Sequence, residues 1–254
     1  MIIYKIPPTK QGILCAIFES FTKKEIPNVV TSLDIQISFD ATVKDIVIDD
    51  QIAQRVEKGI IKSGGISLLS TLFYALRSND GLKETVIFNA TRKCLEARKN
   101  LLTNYKDPDF LNLYEINARI AKERHLLLGF LRFEKTESGV WYARISPDND
   151  VIDIVAPHFK ARFPKEKFLI HDIKRNLVCM CDGTNIATVK TDQTLIVRLH
   201  QDEQDLQSLW QAYFDHVTIK ERFNPKLQDN FLPKRYRKNM PEFFPRSNEQ
   251  SQFN

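Results

Sequence analysis

The sequence predicts an α+β fold: a helical N-terminal half with a few strands, then an antiparallel sheet of about five strands with a crossing helix, and a C-terminal helical basic tail. Apolar residues recur at helical spacing through much of the first half, whereas short alternating or apolar runs fill residues 129–190. We therefore expect a mostly helical part (residues 1–106), an α+β part with the basic tail (107–242) packed with it as one unit, and a disordered tail (243–254).

The first half is predicted to alternate helices with short strands. Ile13, Ile17 and Phe21 fall on one stripe of the first helix. Apolar and polar residues alternate over residues 33–39, which is typical of a half-buried strand. The predicted strands are residues 2–5, 33–39 and 43–48. The predicted helices are residues 11–23, a helix capped by Asp49 or Asp50 that ends near residue 62, and residues 66–78 and 82–102.

The second half begins with a well-specified helix. Asp107 is a suitable N-cap and Pro108 suits the first helical position, so a helix is predicted to run to about Leu127. Pro157 is expected to kink or restart a helix over residues 151–163. The predicted strands of the sheet are residues 129–133, 140–145, 168–171, 177–181 and 185–190.

The excess positive charge lies late in the sequence. The chain has a net charge of +5, and residues 220–238 alone hold seven lysines and arginines against two acids. A predicted helix over residues 202–217 precedes this segment, and Pro225 and Pro233 divide it into short helical pieces. Because clustered cations hold polyanions, the tail supplies candidate nucleic-acid ligands: Lys234, Arg235, Arg237 and Lys238, with Tyr236 as an anchor or a base-stacking ring.

Composition favours a cytoplasmic protein with no membrane partner and no bound cofactor. The first residues lack the pattern of a signal peptide, and no run reaches about 18 apolar residues. Cys179 and Cys181 project from one face of a strand, which suits core packing better than ligation of zinc or an iron–sulfur cluster. The sequence has no P-loop and no G-x-S-x-G motif, so no metal or cofactor is predicted.

Three residues are candidates for catalysis: His158, His171 and Asp172. The dipeptide at 171–172 resembles the pair used by metal-dependent phosphohydrolases, although neighbours in a strand point to opposite faces. His158 and Arg162 lie one helical turn apart and either bind a phosphate or form a local surface pair. An enzyme built on these residues requires a pocket where they converge with Arg162 or Arg175.

Arginine and aromatic residues are predicted to share one face of the sheet. Alternation places Phe130 and Arg132 together on the first strand, and Tyr142 and Arg144 together on its partner. Aromatic rings and guanidinium planes on an open sheet stack unpaired bases, and the cations also meet phosphates. The face is therefore either a stacking platform for nucleic acid or an ordinary half-exposed face with charge pairs.

Ordered blocks of the sequence resemble a known family: KERHLLLGFLRF (122–133), WYARISPD (141–148), APHFKARFP (156–164), LIHDIKR (169–175), and NPKLQ (224–228) followed by LPKRY (232–236). The resemblance extends over about residues 107–242. It is to a bacterial family of unknown function, described as a probable DNA-metabolism or putative DNA-repair protein. Arg237 stands where the family pattern has an aromatic residue, which makes this tail more basic and weakens a stacking role there.

The resemblance implies association rather than mechanism. Members of the family resemble partners of a radical SAM protein proposed to act in DNA modification or repair, and in other bacteria a similar domain is fused to a uracil-DNA glycosylase-like domain. This chain has no cysteine triad for a radical SAM cluster, so the redox chemistry is expected to belong to the partner. The resemblance supplies no catalytic residues.

The leading hypothesis is a DNA-metabolism or repair accessory protein that binds DNA, or a DNA-bound radical SAM repair enzyme, and has no activity of its own. Its nucleic-acid-binding residues are Arg132, Tyr142, Arg144, Arg162, Arg175, Lys234, Arg235, Tyr236, Arg237 and Lys238. One alternative is an enzyme that acts on a nucleotide or DNA base through His158, His171 and Asp172. Another is a protein–protein adaptor whose basic tail docks on an acidic partner without nucleic-acid contact.

Overall fold

The computed structural model describes residues 1–36, 39–191, 195–222 and 224–245. The chain forms two compact units, Met1–Lys122 and Glu123–Asn254, and the boundary between them falls within a long helix. The predicted division into residues 1–106 and 107–242 stays a prediction. Of the tail predicted to be disordered (243–254), the residues from 246 onward lie outside the described residues.

The first unit combines a small parallel sheet with helices. Its strands are β1 (Ile2–Lys5), β2 (Val29–Thr31) and β3 (Thr42–Asp45), in the order β2-β1-β3. Its helices are α1 (Lys10–Thr22), α2 (Asp50–Tyr74), the 3-10 turn Ala75–Arg77, α3 (Lys83–Ala97) and the first part of α4 (Pro108–Phe130). Fully buried residues such as Tyr4, Leu14 and Phe88 form its core. The predicted helical half with a few strands is confirmed.

The strand predicted over residues 33–39 is wrong where the structure describes it. Residues 33–36 and Phe39 belong to no strand, Phe39 is fully exposed, and Ile37 and Ser38 lie outside the described residues. β2 and β3 instead pair with the two edges of β1. Alternating apolar and polar residues fit a pleated, half-buried surface. Whether they form a strand depends on pairing with other strands of the fold.

The helix α2 joins two predicted helices. Asp49 caps it by accepting hydrogen bonds from the backbone N–H groups of Gln51 (2.8 Å) and Ile52 (3.0 Å), as expected for this residue type. Gly64 and Gly65 have non-helical backbone angles, with φ 78° at Gly65, so the helix kinks at the predicted break instead of ending there.

One helical span among the described residues, Asp50–Arg77, is long and apolar enough to cross a membrane by length and composition alone. This is weak evidence, because the core helix of a soluble protein meets the same criterion. Of its apolar window, 33% is buried inside the protein.

The second unit is built on a five-stranded sheet. Its strands are β4 (Glu134–Lys135), β5 (Trp141–Ile145), β6 (Phe168–Asp172), β7 (Leu177–Cys181) and β8 (Ile186–Lys190), in sequential order. Its helices are the end of α4, α5 (Ile152–Arg162), α6 (Glu203–Val217), α7 (Pro225–Phe231) and α8 (Lys234–Arg237), with 3-10 turns at Lys220–Arg222 and Pro241–Phe243. This confirms the predicted α+β class.

Two details of the predicted sheet are wrong. The sheet is mixed, because β5 and β6 are parallel while the other neighbours are antiparallel. A parallel pair needs a crossover, and α5 supplies it. The strand predicted over residues 129–133 is absent, because α4 continues to Phe130 and β4 begins only at Glu134.

The strand register gives the sheet one covered face and one open face. Phe168 and Ile170 of β6 are fully buried beside Val155 and Phe159 of α5, so α5 covers this side. Cys179 and Cys181 are free and buried, as expected for core residues. The alternate residues of β5 and β6, among them Tyr142 and His171, point to the open side.

Candidate nucleic-acid interface

A cavity of about 430 Å³ with a mixed polar and apolar lining lies on the open face of the sheet. Its polar lining residues are Glu134, Tyr142, Arg144, His171, Asn176 and Thr191. Three of the predicted site residues, Tyr142, Arg144 and His171, therefore meet here. Their strands are neighbours in register, with Arg144 directly opposite His171, so the pleat brings these side chains to one surface.

A tyrosine–histidine pair occupies the floor of the cavity. The Tyr142 hydroxyl and His171 Nδ1 are 2.9 Å apart, and His171 Nε2 is buried without a hydrogen-bond partner among the described residues. Burial lowers the pKa of His171 and raises the pKa of Tyr142. Both groups are therefore neutral near pH 7, and the pair offers hydrogen bonds rather than charge.

The arginine of this cavity is already paired. Arg144 Nη2 lies 3.3 Å from Glu134 Oε2, and the other Glu134 oxygen accepts a hydrogen bond of 2.9 Å from Gln207. Glu134 is nearly buried, so its charge offsets that of Arg144 inside the cavity. The cavity suits a neutral polar group better than a phosphate.

The predicted four-residue platform on this face is wrong. Phe130 ends α4 and lies 6.4 Å, between ring centres, from Tyr236. Arg132 lies outside the strands and donates a hydrogen bond of 2.8 Å to Glu242. Only Tyr142 and Arg144 share the open face, because the helix extends through residues that were predicted to form a strand.

The three candidate catalytic residues do not meet. His171 lies on the open face, whereas Asp172 is buried on the side that α5 covers. Asp172 accepts hydrogen bonds from the backbone of the following turn and from the Arg175 guanidinium (2.9 Å), which also bonds the Pro147 carbonyl oxygen. His158 lies on α5 with its ring 5.3 Å from that of Phe159. Asp172 and Arg175 thus hold a turn together.

The predicted basic tail is anchored on a buried carboxylate. Glu123 Oε1 accepts hydrogen bonds from the Tyr236 hydroxyl (2.9 Å) and Arg235 Nη2 (3.2 Å). The same oxygen accepts from the backbone of Asp148 (2.8 Å), and the other accepts from the backbone and side chain of Asn149. Burial raises the pKa of Tyr236 to about 12, so it stays a phenol and donates.

The other tail cations differ in their partners. Arg237 lies 2.6 Å from Asp229 and its guanidinium stacks on the Phe243 ring. Lys234 is exposed and lies 3.5 Å from the same aspartate. Lys238 is exposed, and no ion pair links it to any part of the chain that the structure describes. Both arginines of the tail are therefore engaged internally.

A second cavity, of about 280 Å³, lies at the end of α5 on the covered side of the sheet. It is lined by four aromatic rings and one carboxylate: Phe133, Trp141, Phe163, Phe168 and Glu166. The rings are held edge to face, with Phe133 5.2 Å from Phe159 and 5.6 Å from Phe168 between centres. Trp141 donates its indole N–H to Glu166 (3.0 Å).

A basic segment of the chain adjoins this aromatic cavity. The segment of residues 160–167, which joins α5 to β6, carries four cations against one acid. Lys160 donates to the Thr184 carbonyl oxygen, whereas Arg162, Lys165 and Lys167 are exposed. Within the described ranges, none of these last three forms an ion pair, and the Arg162 guanidinium lies 5.8 Å from the Phe163 ring centre. The cations are thus available to a ligand.

Comparison with known protein families identifies the family of this chain. The model of the family DUF4130, a domain of unknown function, matches residues 82–242. The chain belongs to DUF4130. Both cavities and residues 234–238 lie within the matched range. No curated protein and no solved structure matches the chain in the corresponding searches.

The sequence alone did not predict most residues of the aromatic cavity. Arg162 was a candidate, but Lys165, Lys167, Trp141 and Phe163 were not assigned to a binding site. A charge count over residues 160–167 finds the basic segment, in the same way that it finds the tail. No sequence signal shows that Phe133 and Phe168 close a cavity beside it, because that depends on the strand order.

Proposed function

We propose that this protein is a cytoplasmic accessory protein of DNA metabolism or repair, which binds DNA through the α5–β6 segment (residues 160–167) and assists a DNA-bound radical SAM repair enzyme. One observation carries the DNA-binding part: Arg162, Lys165 and Lys167 are exposed, form no ion pair with a described residue, and lie beside exposed aromatic surface. The repair enzyme is the partner that the family resemblance implies.

Cations without internal partners are the ones that a polyanion engages most readily. Each phosphate contact releases condensed counterions, so the affinity falls as salt rises. An arginine or lysine that is already paired must lose its carboxylate before it meets a phosphate, which weakens the gain. The α5–β6 segment therefore contributes more to DNA binding than Arg235 and Arg237 of the tail.

The test is a salt titration of DNA binding by fluorescence anisotropy, with single-stranded, duplex and uracil-containing oligonucleotides. The variant Arg162→Gln/Lys165→Gln/Lys167→Gln is compared with the wild-type protein. Loss of three contacts to a single strand is expected to make the slope of log K against log salt shallower by about 2 units. The matched control, Lys58→Gln/Lys62→Gln/Lys106→Gln, removes three exposed lysines of the first unit and is expected to retain the slope.

An unchanged slope in the α5–β6 variant contradicts this assignment, as does equal flattening in the control. Absence of DNA binding by the wild-type protein at low salt contradicts the DNA-binding function as a whole. The three oligonucleotides also report whether strand state or the uracil base changes the affinity.

A protein–protein adaptor is the second candidate, and α6 favours it. Five apolar residues of α6 recur at helical spacing and are 41–66% exposed: Leu206, Leu209, Trp210, Tyr213 and Val217. A continuous exposed apolar stripe of this kind marks an interaction surface. The partner on this surface is the same radical SAM repair enzyme.

The adaptor predicts an interaction that survives nuclease treatment. Leu209→Glu/Tyr213→Glu on α6 is expected to abolish co-purification with the co-expressed partner, while DNA binding by the isolated protein is unchanged. Loss of co-purification on nuclease treatment of the wild-type complex contradicts the adaptor and favours a link through DNA.

A further inference from the structure

We propose that the aromatic cavity beside the α5–β6 segment accepts one unpaired base of single-stranded DNA, while the adjacent cations hold the flanking phosphates. The inference rests on the proposed DNA-binding function and adds a ligand site to it. Its walls are Phe133, Trp141, Phe163 and Phe168, and Glu166 lies at the rim.

The size and walls of the cavity suit a small flat group. Its volume of about 280 Å³ lies near the lower end of ligand pockets, which begin at about 300 Å³. Phe133 and Trp141 are half-buried and Phe163 is 37% exposed, so their rings are accessible from outside, while Phe168 closes the floor. Bases of every type have a π-face that stacks on such rings.

The chemistry at the rim distinguishes a nucleobase from a purely apolar ligand. One oxygen of Glu166 accepts the Trp141 indole N–H (3.0 Å). The other oxygen has no hydrogen bond to a described residue, so it can accept an N–H of a base. The hydrogen bond from the indole keeps this exposed carboxylate at the rim of the cavity.

The charges around the cavity suit a nucleic acid rather than a free base. Arg162, Lys165 and Lys167 are all within five residues of Phe163 along the chain and outnumber Glu166. A strand that inserts one base brings phosphates on both sides of it to these cations. Bases of a duplex are paired and stacked and do not enter without flipping, so the cavity selects unpaired strands.

The first test separates base contacts from phosphate contacts. The wild-type protein is titrated with oligo-dT and with an abasic oligonucleotide of equal length, which keeps the phosphates and lacks the bases. Stacking of one base is expected to favour oligo-dT by roughly five- to a hundredfold. Phe163→Leu removes one of the stacking rings and is expected to lower this ratio, while the affinity for the abasic strand is unchanged.

A matched variant controls for a general effect of losing an exposed ring. Phe231→Leu removes a phenylalanine of α7 that is 68% exposed and lies outside the cavity. It is expected to retain the wild-type ratio. Leucine at 163 keeps apolar contact with Phe133 and Phe159, and thermal melts check that both variants fold.

A second measurement leaves the cavity unaltered. In a Trp210→Phe background, the remaining indole is that of Trp141, because the chain has two tryptophans. Oligo-dT is expected to quench its fluorescence saturably, and the abasic strand is not, because only a stacked base contacts the indole.

The outcomes separate the base site from DNA binding itself. If the wild-type protein binds both strands equally, or if Phe163→Leu keeps the oligo-dT preference, the base site is wrong, while a flattened salt slope in the α5–β6 variant still supports the proposed function. If the wild-type protein binds neither strand at low salt, both fail.

Discussion

Two basic segments of the second unit have similar charge and different surroundings. The tail (residues 234–238) and the α5–β6 segment (residues 160–167) each carry four cations. In the tail, Arg235 contacts Glu123 and Asp148, and Arg237 contacts Asp229. In the α5–β6 segment the only acid, Glu166, is bonded to Trp141 instead. Charge density along a sequence therefore does not identify a polyanion site; the carboxylates that the fold brings to the cations decide it.

The two segments also differ in the role of their aromatic residue, Tyr236 in the tail and Phe163 in the α5–β6 segment. Tyr236 is 4% exposed and donates to Glu123, so it anchors the tail. Phe163 is 37% exposed and lines a cavity. The tail stabilises the fold of the second unit, whereas the α5–β6 segment is the surface that we propose for DNA.

The largest decrease in the free energy of unfolding is expected from a substitution of Glu123, which anchors the tail. Glu123→Gln removes the buried charge that Arg235 and Tyr236 contact, and places an amide among five hydrogen-bond donors. Arg235 is partly exposed, but the Tyr236 and Asn149 donors are buried and would lose a charged acceptor, so the change is expected to cost about 3 kcal/mol. Urea unfolding is expected to show this decrease in the free energy of unfolding. A change below about 1 kcal/mol would mean that the tail does not stabilise the unit.

A smaller effect comes from one hydrogen bond of the same anchor. Tyr236→Phe keeps the buried ring and removes the hydroxyl that donates to Glu123. A hydrogen bond to a charged group contributes about 1.5–3 kcal/mol, so a decrease of that size is expected in the same unfolding experiment. The matched control is Tyr213→Phe on α6, where the tyrosine is 57% exposed, and it is expected to be nearly neutral. Equal effects of the two changes contradict the anchoring role.

His171 in the open-face cavity is expected to make the free energy of unfolding depend on pH. Neither basic segment has such a residue. Burial holds the pKa of His171 below its ordinary value of 6.5, so the unfolded chain binds more protons than the folded chain just below pH 6.5. This contribution to stability is complete above that pH and is lost as the pH falls toward the folded pKa. His171→Asn is expected to make unfolding free energy less dependent on pH between 5 and 7, by at most about 1.4 kcal/mol per pH unit. An unchanged pH dependence in the variant contradicts the burial of a neutral imidazole.

The smallest effect is expected at the two tail lysines. Lys234→Gln/Lys238→Gln alters exposed side chains, and among the described residues only Lys234 has an acid nearby, at 3.5 Å. Exposed substitutions of this kind usually change stability by less than about 0.5 kcal/mol. The salt slope for DNA binding is expected to change less than in the α5–β6 variant. A larger change of the salt slope in the tail variant than in the α5–β6 variant would mean that the tail is the main DNA-binding segment.

Much of the fold follows from local sequence signals. The cap at Asp49 and the break at Gly64 and Gly65 appear where residue chemistry predicts them. The α+β class is also predictable, because residues with helical spacing and short apolar runs typical of strands occupy different parts of the chain. These signals depend on neighbours within a few residues, so they need no knowledge of the tertiary structure.

The errors concern segments whose structure depends on distant partners. The run LLLGFLRF (126–133) suits a helix or a strand, and α4 extends through its first part to Phe130. The parallel pairing of β5 with β6 depends on the side to which α5 crosses. The contact between Arg235 and Glu123 was not predicted either, because the two residues are 112 apart and no local pattern connects them; the role of the tail as a polyanion surface stays a prediction.

Lysine labelling with and without DNA compares the two segments within a single sample. Acetylation by a small reagent, followed by peptide mass spectrometry, reports the reactivity of Lys165 and Lys167 beside that of Lys234 and Lys238, all of which are exposed. With saturating oligo-dT, we expect protection of Lys165 and Lys167 and little change at the tail lysines. Protection of Lys234 and Lys238 with unchanged reactivity at Lys165 and Lys167 would contradict this expectation.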